Sequence, residues 1–125
     1  MKVFVTGVAG QLGHDVINEL TERTSNQAGN YTCTGSDLAP EYSGAQDGTA
    51  VTKAPYVSLD ITDEAAVERV LLQESPDVVV HCAAWTAVDL AEDMEEKVRQ
   101  VNTVGTENIV KAVKKLDASR PEGCK

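Results

Sequence analysis

Basic residues are scarce in this chain. Eleven Lys and Arg stand against twenty Asp and Glu, a formal net charge of −9 at pH 7. So acidic a chain offers no cationic patch to neutralise a phosphodiester backbone, which excludes nucleic acid as a partner. Long apolar runs are missing too: none approaches the length that crosses a bilayer, so no membrane partner is expected. The N-terminus carries a single Lys2 before an apolar run and a glycine turn, unlike a secretory signal peptide. The three cysteines, Cys33, Cys82 and Cys124, are odd in number and scattered. Without a Cys-x-x-Cys pair they build neither a zinc site nor a dithiol redox motif, and reduced thiols in the cytoplasm are the expectation. With 125 residues the chain can enclose one modest core, not two ordinary domains.

What is present is concentrated at the start. Val3, Phe4 and Val5 form a short apolar run, and Gly7, Gly10 and Gly13 follow at a step of three. Leu12, Val16, Ile17 and Leu20 then recur at helical spacing. A buried strand, a glycine turn and a helix in this order hold a dinucleotide. Glycine at the turn allows positive φ, missing side chains let amides approach a diphosphate, and the helix start is the positive end of its dipole. The pattern also requires an acidic residue about twenty positions further on. Tyr31 to Ser36 reads as a second strand ending at Asp37, where a carboxylate can accept hydrogen bonds from both ribose hydroxyls of an adenosine and repel a 2′-phosphate. The same features serve, more plainly, a tight turn and a solvated aspartate.

Strand-like and helix-like stretches alternate along the rest. Ser25 to Asn30 is polar and reads as a loop; Leu38 to Ala54, rich in Gly, Pro, Ser, Thr and Asp, reads as a long surface loop with Tyr42 as its anchor. Tyr56 to Leu59 gives a third strand ending at Asp60. Thr62 reads as the N-cap of a helix with Asp63 and Glu64 in its first turn and Val67, Val70 and Leu71 as its stripe, stopped by Pro76. Asp77 to Ala84, almost continuously apolar, reads as a parallel strand at the sheet centre. Asp89 to Leu116 carries one or two helices with Val98, Val101, Gly105, Ile109, Ala112, Val113 and Leu116 on one side, and Ser119 to Lys125 is a polar tail. This alternation requires parallel strands with right-handed crossovers. The fold class is α/β, a Rossmann-like doubly wound parallel sheet that reads as cut short after about four strands.

Several residues fall at the ligand-binding edge of such a sheet. Asp60 can bond an adenine amino group while Ile61 covers the ring, or it can simply be an acidic helix start. Ala83 and Ala84 let the backbone lie close to a second ribose or nicotinamide, or simply pack; Trp85 and Thr86 add an aromatic surface and a hydroxyl. His81 reads as a satisfied core residue, having no second metal-type residue at useful spacing, and no metal site is expected. Asn102, polar on an apolar helix face, is expected to be buried and bonded to a neighbouring strand's backbone, with Gly105 marking a close helix approach.

Together, Thr-Gly-x-x-Gly-x-x-Gly, Leu-Asp-Ile-Thr-Asp, Pro-Asp-Val-Val-Val-His-Cys-Ala-Ala and Val-Asn-x-x-Gly-Thr-x-Asn resemble an extended short-chain dehydrogenase/reductase of the nucleotide-sugar type. The run from Ala83 to Glu92, with Gly10 to Gly13, looks most like the dTDP-4-dehydrorhamnose reductase family, in which Tyr usually stands where Trp85 does. The resemblance implies NAD(P)H-dependent reduction of a 4-keto dTDP-sugar in making dTDP-L-rhamnose for cell-surface polysaccharide. It places Gln11 and Leu12 at the diphosphate, Asp37 at the adenosine ribose, Asp60 and Ile61 at adenine, and Ala84, Trp85 and Thr86 near the nicotinamide. Such enzymes protonate the ketone with a Tyr-x-x-x-Lys pair. Here Tyr31, Tyr42 and Tyr56 are followed four positions on by Gly35, Gln46 and Asp60, so no catalytic residue is assigned. The expectation is that residues 1–125 form the N-terminal part of an NAD(P)-binding Rossmann domain, with the catalytic pair and the substrate domain lying outside it. An epimerase or dehydratase of the same superfamily, or a non-catalytic regulator like the related subunit of methionine adenosyltransferase, are the alternatives. Some enzymes of the kind this chain resembles form a homodimer with Mg²⁺ at the contact, for which the segment offers acidic residues without a ligand pattern.

Overall fold

Alternation within the first strand sets the layers. In β1 (Lys2–Thr6), Val3 and Val5 point to one face of a sheet and Phe4 to the other, each at most 4% exposed. The computed structural model describes residues 1–25, 31–42, 54–84 and 95–125. After β1 come α1 (Gln11–Ser25), β2 (Thr32–Asp37), β3 (Tyr56–Ser58), α2 (Glu64–Glu74), β4 (Val78–His81), α3 (Glu95–Arg99), a π-turn (Gln100–Gly105) and α4 (Thr106–Ser119). The four strands are all parallel, in the order β3-β2-β1-β4. On one face Val3, Val5 and Val8 pack with Ile17 of α1. On the other, Phe4 packs with Val67, Val70 and Leu71 of α2 and Ile109, Ala112 and Leu116 of α4. The expected doubly wound α/β layering is therefore present.

Register aligns the strand ends. Thr6 of β1 pairs with Ser36 of β2 and with His81 of β4. The carboxyl ends of the strands thus finish level, on the side where the order turns from β2 to β4 across β1, the place where open α/β sheets leave a crevice.

Four local expectations are corrected. Asp63, not Thr62, caps α2: the Asp63 carboxylate accepts the Ala66 N–H at 3.1 Å, whereas the Thr62 hydroxyl and amide both donate to Asp60 Oδ1. β4 spans Val78–His81 rather than Asp77 to Ala84, half-buried, with β1 along one edge. The stretch from Ser119 to Lys125 is more than a polar tail: Cys124 is buried, and Lys125 pairs with the outer edge of β4, its N–H donating to Asp77 O at 3.0 Å and its C=O accepting from Val79 N–H. Arg120 fixes that return by donating to the carbonyls of Ser75 and Pro76 and to the Asp77 carboxylate. Finally, Asn102 is exposed, and the buried amide is Asn108, whose Nδ2 donates to Ile61 O at 2.9 Å.

Two other stops follow local chemistry. Ser75 ends α2 in the left-handed conformation (φ +48°) with its N–H on Leu71 O, ahead of the buried Pro76. Gly105 makes the close approach expected of it: a Cβ there would lie 2.5 Å from Ile61 Cδ1. No described helix is long and apolar enough to cross a membrane.

Candidate functional site

A cleft of about 680 Å³ opens at the level strand ends. The glycine turn and the first turn of α1 form its floor, Asp37 and Leu38 one rim, Leu59 to Ile61 a wall, and His81 to Ala84 the opposite wall, with Val101 closing it from the π-turn. Of the residues singled out from the sequence, Gly7, Gly10, Gln11, Leu12, Gly13, Asp37, Asp60, Ile61, Ala83 and Ala84 all meet here. Trp85 and Thr86, like most of the loop between Leu38 and Ala54, lie outside the described residues. A second groove, about 540 Å³ between α1 and β4, is lined mainly by apolar groups such as Val3, Val16, Val78 and Val80. Its charged residues, Asp15, Glu19 and Arg23, all stand on α1, and Arg23 is paired with Glu19 at 2.7 Å.

The three glycines do different work. Gly7 has φ +75°, and a Cβ on it would sit 2.5 Å from Ala83 N, so it permits both the turn and the approach of the β4 end. Gly13 lies under the turn: a Cβ would meet Gly7 O at 2.1 Å. Gly10 is exposed, and a Cβ there would touch only Gly7 O, at 3.4 Å, otherwise projecting into the open cleft. The amides of Gln11, Leu12 and Gly13 precede the first helical bond, from His14 N–H to Gly10 O at 3.0 Å. They are the orphan donors of the helix start, and their residues line the cleft beside Gly10. A diphosphate fits this cradle by its chemistry: donors without side-chain cover at the positive end of a helix.

The turn is pinned to the end of β2. Gly7 N–H and Val8 N–H both donate to Ser36 O, at 2.8 and 3.2 Å. Ala9 N–H donates to Asp37 Oδ2 at 2.9 Å, and Leu38 N–H to Oδ1 at 2.7 Å. Asp37 therefore holds the turn as well as facing the cleft, and since a carboxylate has about four acceptor positions, two remain for ligand hydroxyls. On the wall from Leu59 to Ile61, Asp60 is exposed, with Oδ1 engaged by Thr62, while Ile61 is 8% exposed and anchored through its carbonyl to Asn108.

Tyr42 ties the segment after Asp37 to the same turn. A phenol has one proton, and Tyr42 spends it on Val8 O at 3.0 Å; the bond to buried His14 must then run from Nδ1–H to the Tyr42 oxygen, which leaves Nε2 to accept from Asn18 Nδ2 at 2.9 Å. Tyr42 also stacks on Tyr56, centroids 5.4 Å apart. Burial, with the Asp37 charge nearby, raises the Tyr42 pKa above its ordinary value, keeping the phenol protonated for the Val8 bond.

Thr6 and Thr106 are the residues the sequence reading missed. The Thr6 hydroxyl accepts from Cys82 N–H at 3.1 Å and Ala83 N–H at 3.2 Å, which fills its lone pairs. Its proton therefore goes to His81 Nδ1, 2.7 Å away, so His81 carries its own proton on Nε2 and donates it to Thr106 Oγ1 at 3.0 Å. His81 is satisfied at both nitrogens, as expected, and burial holds its pKa below the ordinary value. The available signal was a hydroxyl ending an apolar strand at a glycine, at Thr6.

Comparison with known proteins bears on this cleft. The family model described as RmlD substrate binding domain matches residues 1–119. A dTDP-4-dehydrorhamnose reductase of Streptomyces griseus is 34% identical over 114 residues, covering 91% of this chain and 30% of that protein. Among solved structures, the Bordetella bronchiseptica enzyme WbmH in complex with NAD⁺ is 30% identical with a TM-score of 0.72, covering 92% of this chain and 35% of that one. A dTDP-4-dehydrorhamnose reductase from Bacillus anthracis in complex with NADP is 26% identical with a TM-score of 0.66, covering 92% and 33%. The chain thus spans about a third of the length of the relatives it matches.

Proposed function

The chain belongs to the family described as the RmlD substrate binding domain, and from that premise we propose that it supplies the dinucleotide site of an NAD(P)H-dependent reductase acting on a 4-keto dTDP-sugar, dTDP-4-dehydrorhamnose to dTDP-L-rhamnose. The observation that carries the proposal is the side-chain-free cradle at Gly10, beside the three orphan amides of α1 and one residue from the Ala9 amide that Asp37 holds. In this reading Gly7, Gly10, Gln11, Leu12 and Gly13 hold the diphosphate. Asp37 accepts from the adenosine ribose, Asp60 and Ile61 meet adenine, and Ala83, Ala84, Trp85 and Thr86 border the nicotinamide half. The bound nicotinamide supplies the hydride; what this chain contributes is grip and orientation, and the Tyr-x-x-x-Lys pair and the sugar site belong to other parts of the full-length protein. Free Cys33, Cys82 and Cys124 suit a reducing compartment, and the cytoplasm is the proposed location. Among the described residues no group of three His, Cys, Asp or Glu could hold a metal, so Mg²⁺ is not part of the proposal.

Calorimetric titration of the chain with NADH and NADPH tests it. Both bind, NADH more tightly, because the Asp37 carboxylate repels a 2′-phosphate. Asp37→Ala weakens NADH more than NADPH; equal losses would show that Asp37 only braces the turn. If neither cofactor binds, the dinucleotide assignment fails.

A further inference from the structure

The last helix is interrupted where it passes the cleft. Within the π-turn Gln100–Gly105, Gly105 rests on Ile61 and the next residue, Thr106, bonds His81, so consecutive residues address opposite walls. Val101, in the same turn, lines the cleft and packs in the cluster that contains Ile61. The backbone N–H of Thr106 bonds Thr103 O, and its side-chain hydroxyl takes the Asn102 carbonyl instead, at 2.9 Å. A hydroxyl that bonds the carbonyl four residues back competes with regular helix, and single π-turns recur at functional sites. The proton order is fixed from end to end. Thr6 donates to His81 Nδ1, His81 Nε2–H to Thr106, and Thr106 to Asn102 O.

An extra residue in a turn rotates everything N-terminal to it by about 100°, the angle per residue of an α-helix. The π-turn thus decides whether Val101 faces the cleft. We propose that Thr106 is a positioning residue of the cleft: pegged to His81, it holds the π-turn and so keeps Val101 and Ile61 together as the wall that receives the base of a bound nucleotide. This rests on the dinucleotide reading above. Thr106 touches no ligand in this scheme; it acts through Val101.

Three probes separate the claims: inorganic pyrophosphate, which meets only the glycine turn, ADP, which also meets the base wall, and NADH. Amide shift titrations of the full chain follow each. In Thr106→Val, ADP and NADH weaken tenfold or more while pyrophosphate stays within twofold; Thr106→Ala, which removes the hydroxyl without adding bulk, repeats that pattern, and Thr106→Ser restores wild-type binding. ¹⁵N spectra of His81 show Nδ1 unprotonated and Nε2 protonated in wild type and T106S, and mixed tautomers in T106V. Unchanged ADP and NADH affinity in both hydroxyl-less variants would overturn the Thr106 assignment alone. So would equal loss of all three probes with T106S failing to restore them. A wild-type chain that binds none of the probes would instead remove the dinucleotide reading, and this assignment with it.

Discussion

Gly10 and Gly13 are three residues apart in one motif, and the geometry gives them opposite tests. A methyl at Gly13 would lie 2.1 Å from Gly7 O and 2.6 Å from Gly7 C. Both are backbone atoms of a turn that is itself bonded to Ser36 O, so the clash cannot be relieved by a side-chain rotation. Overpacking of this kind costs about 1–3 kcal/mol, and for a chain of this size an unfolding entropy of about 2.1 cal/mol/K per residue converts each kcal/mol into about 4 °C of melting temperature. Gly13→Ala should melt about 4–12 °C below wild type. At Gly10 the methyl meets nothing nearer than Gly7 O at 3.4 Å, and replacing glycine by alanine at a compatible backbone position stabilises by about 0.4–1 kcal/mol through the unfolded chain. Gly10→Ala should melt at or slightly above wild type, yet its methyl takes up room in the cleft lined by Gln11, Leu12 and Gly13, and NADH and ADP should bind at least tenfold more weakly, a loss of about 1.4 kcal/mol. Differential scanning calorimetry and ligand titration on the two variants read this out. The reasoning is refuted if G10A binds as wild type does, or if G13A melts with wild type.

Two further outcomes follow from the same contacts. His81 titrates near 6.5 when unfolded and lower in the fold, so between those values the unfolded chain binds more protons and stability falls as pH drops through the window. Urea midpoints should decline as pH drops below 6.5 in wild type, and less in His81→Gln; parallel declines would remove His81 as the cause. The Asp77 carboxyl, held below its usual 3.8 by the Lys2 amide and Arg120, keeps its contribution until more acid conditions and does not confuse that window. Asn108→Ala leaves the buried Ile61 carbonyl without its donor and should cost about 1–3 kcal/mol in urea denaturation. A midpoint unchanged from wild type would remove Asn108 as the anchor of Ile61.

The burial of Asn108 where Asn102 was expected shows what a linear reading can hold. Helical spacing placed Asn102 beside Val98, Val101 and Gly105 because it assumes about 100° per residue throughout, and the π-turn breaks that assumption from Gln100 to Gly105. The stripe after it, Ile109, Ala112 and Leu116, was legible and is buried as read. β4 was legible in kind and not in extent. An apolar run reports that a strand prefers cover, not where its ladder stops, so Asp77 to Ala84 read as one strand while the strand itself is Val78–His81, with β1 on one edge and Lys125 on the other. The glycine motif was legible because each of its residues answers to backbone sterics: a positive φ at Gly7, a buried contact at Gly13, an open face at Gly10. Thr6, His81 and Thr106 were not, since their roles depend on which hydroxyl has a lone pair left after two distant amides are served. What the one-dimensional pattern carries, then, is the demand each position makes on its own backbone. What it loses is the direction of the protons, and in this cleft those directions fix the turn that carries Val101.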